Sequence, residues 1–111
     1  MNTAAPARIR KDPILAEIKR RLTELYGDRL RRVVLFGSRA RGDHRADSDY
    51  DIAIFLDGYD GSMDEIYRLS DLGFEYLTKR KIDLSLKPFA AGDWDVDTHF
   101  MRHLHRDAID I

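Results

Sequence analysis

Arg32-Val33-Val34-Leu35-Phe36-Gly37-Ser38 and, after ten intervening residues, Asp49-Tyr50-Asp51-Ile52-Ala53-Ile54-Phe55-Leu56 decide how this chain folds. The first run is β-branched and apolar, the composition of a buried strand, and it breaks off at Gly37-Ser38. The second alternates: Ile52, Ile54 and Leu56 fall on one face, Asp49, Asp51 and Ala53 on the other. Between them, Arg39–Ser48 is polar and glycine-containing, which predicts a short helical turn and a loop. A third strand, Ile82–Lys87, alternates in the same sense, with Asp83, Ser85 and Lys87 sharing a face and Pro88 closing it.

Helices flank these strands. Asp12-Pro13 is a helix start, the aspartate as cap and the proline in the first turn. Ile14, Ile18, Leu22 and Leu25 follow at helical spacing, and Gly27 supplies the stop. Ser62-Met63-Asp64-Glu65 fits a capping box and opens a helix ending near Lys79, with Ile66, Leu69, Phe74 and Leu77 predicted inward. A last helix is predicted over Asp95–Arg106, with Val96, Phe100 and Leu104 on one side. The order helix, strand, strand, helix, strand, helix predicts an α/β (α+β) fold in which one mixed sheet packs on helices and keeps a face open. Residues 1–11 lack an apolar period and are expected to form a flexible tail, leaving 12–111 as one domain.

Composition narrows the function classes. A chain of 111 residues holds one core and has no length for a second substrate-binding domain. Basic and acidic side chains number 19 and 20, so no global field recruits nucleic acid, and direct nucleic-acid binding is not expected. No apolar run is long enough to span a bilayer, and the N-terminus lacks a secretory pattern. Cysteine is absent, which excludes disulfides and thiolate metal sites and makes the cytoplasm the simplest address.

The chemistry gathers at the aspartates. Asp49 and Asp51 are two apart on a strand, so their carboxylates project from one face about 6–7 Å apart along the backbone. Asp83 joins them if both strands send their Ile/Leu faces to the helices. Carboxylates so crowded repel, and an oxygen-only ligand set favours Mg²⁺, or Mn²⁺, over zinc. Upstream, Gly37-Ser38 ends a strand and opens a turn whose backbone N–H groups are unpaired, a place for phosphate. Arg39, Arg41 and Arg45 carry charge that suits a triphosphate. Taken singly these residues have ordinary readings, as strand ends, turns and solvated faces; only their spacing joins them. His99 and His103 stand one helical turn apart, but no glutamate or third ligand accompanies them as a zinc motif requires. Trp94, Phe89 and Phe100 suit a core or a partner-binding patch.

The run Leu35-Phe36-Gly37-Ser38-Arg39-Ala40-Arg41-Gly42 through Ser48-Asp49-Tyr50-Asp51-Ile52-Ala53 resembles the signature of the DNA polymerase β nucleotidyltransferase superfamily, and its minimal nucleotidyltransferase branch in particular. The resemblance spans Arg32 to Leu86 and departs near Ala108, where the family often carries a glycine. It implies that Asp49 and Asp51 bind metal and that Asp83 is a ligand and the base for the acceptor hydroxyl. It also implies that Gly37, Ser38, Arg39 and Arg41 meet the nucleotide. Small members of the branch resemble antitoxins paired with a helical HEPN ribonuclease. By that resemblance ATP is the donor, Mg²⁺ the cofactor, and a tyrosine of the HEPN toxin the acceptor. Two other readings stay open: transfer to a small molecule or nucleic acid with a second subunit, and neutralisation of a partner by binding alone.

Overall fold

The computed structural model describes residues 5–111. Two strands form where the alternation predicts them, β1 over Leu30–Phe36 and β2 over Tyr50–Leu56. They pair antiparallel, from Leu30 opposite Leu56 to Phe36 opposite Asp51. β3 (Leu84–Ala90) joins β2 in parallel, and a short β4 (Ile109–Asp110) adds antiparallel to β1, giving the order β3-β2-β1-β4. The parallel β2–β3 pair needs a crossover, and α4 (Met63–Arg80) supplies it.

Pro88 does not end β3; it pairs opposite Ile54 within the strand. β3 is an edge strand, so a residue without an N–H is tolerated there.

The main core lies between one sheet face and two helices, α2 (Pro13–Tyr26) and α4. Ile18, Leu22, Ile52, Ile54 and Leu56 are fully buried in it. Asp12 caps α2 as predicted, its Oδ1 accepting from the Ile14 N–H at 2.8 Å. The inward faces differ in detail. Leu15 and Tyr26 are buried on α2 whereas Leu25 is exposed, and on α4 the buried line is Glu65, Leu69, Leu72 and Tyr76. Phe74 and Leu77 are exposed, and with Met63 and Tyr67 they form an apolar stripe on the back of α4. The capping box at Ser62 does not form. Glu65 is instead drawn into the protein by Arg29, 2.9 Å away, and Arg68, 3.3 Å away.

Beneath the other face lies a smaller cluster. Val34, Phe36, Ala53 and Phe55 pack against Met101 and Leu104 of α5 (His99–Asp107), with Phe89 and Trp94 at the margin. Residues Ala91–Asp95 form a 3-10 turn, so α5 starts later than the spacing predicts, with Thr98 as its cap and Val96 exposed. This second layer confines the open part of the aspartate face to one end. Along β2 the exposure falls from Asp49, exposed, through Asp51, half-buried, to Ala53 and Phe55 at 0%.

Residues 7–10 also differ from the expected tail. Ala7–Arg10 is a helical turn, α1, with Ile9 only 5% exposed against the main core. The buried apolar anchor is a single residue, too little to register as a period. Residues 1–4 of the expected tail lie outside the described ones.

Candidate active site

The strand register sets out the site. Asp51 is the second residue of β2, opposite Phe36 on one side and Ser85 on the other. One residue earlier, the Tyr50 N–H donates to the Asp83 carbonyl at 2.9 Å. That bond ties the start of β3 to the start of β2 and sets Asp83 beside Asp49. The charge of Asp83 there helps to raise the Asp49 carboxyl above its ordinary range.

On the other side of Asp51, β1 ends and α3 (Gly37–Arg41) begins. Gly37 has φ +74°, in the left-handed region, and a Cβ there would lie 2.3 Å from Asp51 Oδ2. Both facts favour glycine, the first because other residues are strained there and the second because a side chain would have to displace the Asp51 carboxylate. The backbone of the turn therefore reaches the Asp51 carboxylate directly, and no side chain caps the N–H groups that open it.

Electrostatics agree with a crowded acidic end. Burial holds the Asp49 carboxyl above the usual carboxylate range, with the charge of Asp83 adding to it and Arg39 opposing. Asp51 is likewise raised, by burial first and then by Asp49, while Lys87 and Arg41 partly compensate. Ionising Asp49 and Asp51 together is unfavourable without a cation. Among the described residues, no three such side chains close into a ready-made metal cage. The donor set is all oxygen, and the cradle at Gly37 is one that a Cβ would fill, so these residues fit a divalent cation with a phosphate beside it.

The two arginines expected at the nucleotide are both engaged within the protein. Arg39 donates from Nε to the Ser48 carbonyl at 3.0 Å and from Nη2 to the Ala46 carbonyl at 3.1 Å. Its guanidinium lies 4.0 Å over the Tyr50 ring. Arg41 bridges Asp43 at 3.1 Å and Asp107 at 3.0 Å, fastening α3 to the end of α5. The histidines of α5 gather no ligand set: His105 stacks on Trp94 with ring centres 3.8 Å apart, its Nε2 lying 3.0 Å from the Trp94 carbonyl.

Three contributors went unread in the sequence. Asp12 holds the Tyr50 hydroxyl at 2.9 Å through Oδ2, while Oδ1 caps α2, so one side chain does two jobs and only the cap has a sequence signature. Arg8 donates to the carbonyls of Arg39 and Ala40 from a segment without an apolar period. Asp107 holds Arg41, and nothing in its surroundings in sequence marks it.

A family model described as "Nucleotidyltransferase domain" matches residues 15–108. A provisionally named protein adenylyltransferase of Methanocaldococcus jannaschii is 44% identical over 43 residues, which are 39% of this chain and 43% of that protein. The match thus takes in less than half of that relative's length. Among solved structures, a toxin–antitoxin with AMP-PNP superposes with a TM-score of 0.58 at 20% identity, over 85% of this chain and 69% of that one. At that identity the likeness is one of fold.

Proposed function

The chain belongs to the nucleotidyltransferase domain family, and from that premise we propose that it is a Mg²⁺-dependent protein adenylyltransferase: it moves AMP from ATP to a tyrosine hydroxyl of a HEPN-type toxin and so acts as the antitoxin. One observation carries the reading. A turn whose strained backbone favours glycine lies against one carboxylate of the acidic end, so a surface for phosphate and an oxygen donor set for a cation meet at one point. A protein that neutralised its partner by masking alone has no use for like charges held together above their ordinary pKa.

The relatives support the finer terms. The Methanocaldococcus jannaschii protein carries a protein adenylyltransferase name, and the solved neighbour is a toxin–antitoxin with AMP-PNP. The exposed stripe Met63, Tyr67, Phe74 and Leu77 is apolar surface of the kind that a protein partner covers. A cytoplasmic setting follows from the need for ATP.

In this proposal Asp49 and Asp51 hold Mg²⁺, with Mn²⁺ as a substitute and Asp83 as a further ligand. When bound, the metal neutralises charge on the α-phosphate and on the leaving pyrophosphate. The protein's own groups do the rest. Asp83 accepts the proton of the acceptor hydroxyl as its oxygen bonds to the α-phosphorus. The bond to pyrophosphate breaks in line, and the N–H groups of the Gly37–Ser38 turn, with the Ser38 hydroxyl, hold the departing oxygens.

Co-expression with a candidate HEPN-type toxin tests the reading. The toxin's intact mass should rise by one or more adenylyl groups, located by peptide mapping to tyrosine. Neutralisation by an Asp49→Ala, Asp51→Ala protein with the toxin's mass unchanged would reject it.

A further inference from the structure

The N-terminal segment touches the site from behind at two points. Arg8 donates through Nη2 to the Ala40 carbonyl at 2.9 Å and through Nη1 to the Arg39 carbonyl, so its fork holds the last turn of α3. Gly42, which ends α3 with φ +89°, leaves room for that fork: a Cβ there would lie 3.2 Å from Arg8 Nη2. Four residues on, Asp12 accepts from the hydroxyl of Tyr50, the residue between Asp49 and Asp51. Ile9, buried between these two, fixes the segment to the core. Arg39 closes the circuit, its guanidinium over Tyr50 and its N–H groups on the carbonyls of Ser48 and Ala46, at the end of the loop leading to Asp49.

We infer that Arg8 and Asp12 are positioning residues: they hold the Gly37–Arg41 turn and the Asp49–Asp51 strand end in register before any nucleotide arrives. The inference rests on the proposed function only for its catalytic consequence. The turn is short, five residues, and too small to be rigid alone. Its C-terminal carbonyls have no continuing helix to satisfy them, and a guanidinium fork supplies what is lacking. Without that fork the turn samples other arrangements. ATP then binds only the fraction that is competent, which weakens its apparent affinity by the same fraction. A docked triphosphate restores the arrangement, so the chemical step changes little. The signature is a rise in KM with kcat nearly kept. Arg39, by the same geometry, acts as a staple for the loop.

Amide hydrogen exchange and steady-state kinetics on Arg8→Ala, Arg8→Lys and a control, Arg21→Ala, decide the matter. Arg21 pairs with Glu75 between α2 and α4, away from the turn, and reports general loosening. In Arg8→Ala, the amides of Gly42 and Asp43, which both donate to the Ser38 carbonyl, should exchange about tenfold faster while those of β1 and β2 keep their rates. KM for ATP should rise about tenfold with kcat within about twofold, and Arg8→Lys should fall between. The inference is overturned if exchange of the Gly42 and Asp43 amides rises no more in Arg8→Ala than in Arg21→Ala, or if kcat falls while KM stays. The exchange arm needs no ligand. A wild-type chain that never turns over ATP would reject the proposed reaction and still leave exchange to judge the positioning.

Discussion

Gly37 stands so close to Asp51 that a single added methyl group would lie 2.3 Å from the carboxylate Oδ2. The end of β1 and the start of β2 are thereby locked together: the last ladder pair, Phe36 with Asp51, delivers the glycine to the aspartate. Gly37→Ala should cost about 1–2 kcal/mol from backbone strain at φ +74° alone. It should also push the Asp51 carboxylate aside and lower kcat/KM about 100-fold or more, since misplacement by an ångström has that effect. Thermal melts and turnover of the same preparation check both parts. A variant with wild-type turnover would mean that the close approach is not used.

The carboxylates at this end are held at a cost to stability. Asp49 and Asp51 have pKa values above the ordinary 3.8, burial being the main cause. For an acid raised in the folded state, the native form binds protons more readily than the unfolded one. The penalty is therefore present above the folded pKa and disappears as pH falls through it towards 3.8. Asp51→Asn should raise Tm at pH 7, lose that advantage in acid, and abolish transfer. Differential scanning calorimetry from pH 3 to 8 measures it; a variant less stable at pH 7 would contradict the sign.

Opposite behaviour is expected on the back of the molecule. Arg21 holds the Glu75 carboxyl below its ordinary 4.5, and hydrogen bonds from Tyr76 and then Arg80 do the same for Glu17. Acids lowered in the folded state stabilise it above the unfolded pKa and stop doing so as pH falls through the folded value. Glu75→Gln should be less stable than wild type at pH 7 and indistinguishable from it well below pH 4. Urea titrations at the two pH values read this directly.

Two apolar residues near the C-terminus separate the predicted from the observed packing. Leu104 is 0% exposed under the second sheet face, and Val96 is 50% exposed. Leu104→Ala should cost about 2–5 kcal/mol, whereas Val96→Ala should change stability by less than about 0.5 kcal/mol. Chemical denaturation of the two variants tests which side of the last segment faces inward.

These contrasts explain what the sequence could tell. Strands β1 and β2 were legible, and with them the position of Asp51 on β2, because a period of two fixes which side chains share a face; Asp49 and Asp83 lie just ahead of β2 and β3. α4 was legible as a helix, but its inward side was not. Phe74 and Leu77 are as apolar as Leu69 and Leu72, and hydrophobicity alone cannot say which apolar stripe meets the core. Glu65 shows the converse: a charged residue at a plausible cap position is buried because Arg29 reaches it from another element and Arg68 from the next turn of α4. Pro88 looked like a stop and is tolerated because β3 lies at an edge, a matter of sheet order. Arg8, Asp12 and Asp107 support the site through contacts across the fold, which leave no periodic trace.

The central claim is that the aspartate end beside Gly37 transfers a nucleotidyl group. Release of pyrophosphate from ATP by the purified chain with a candidate HEPN-type toxin and Mg²⁺, followed together with label from the α-phosphate, tests it most directly. The account predicts one pyrophosphate released for each adenylyl group fixed on the toxin, and neither product with EDTA or with Asp49→Ala, Asp51→Ala. ATP bound by the complex but neither cleaved nor transferred, with the toxin still silenced, would contradict it.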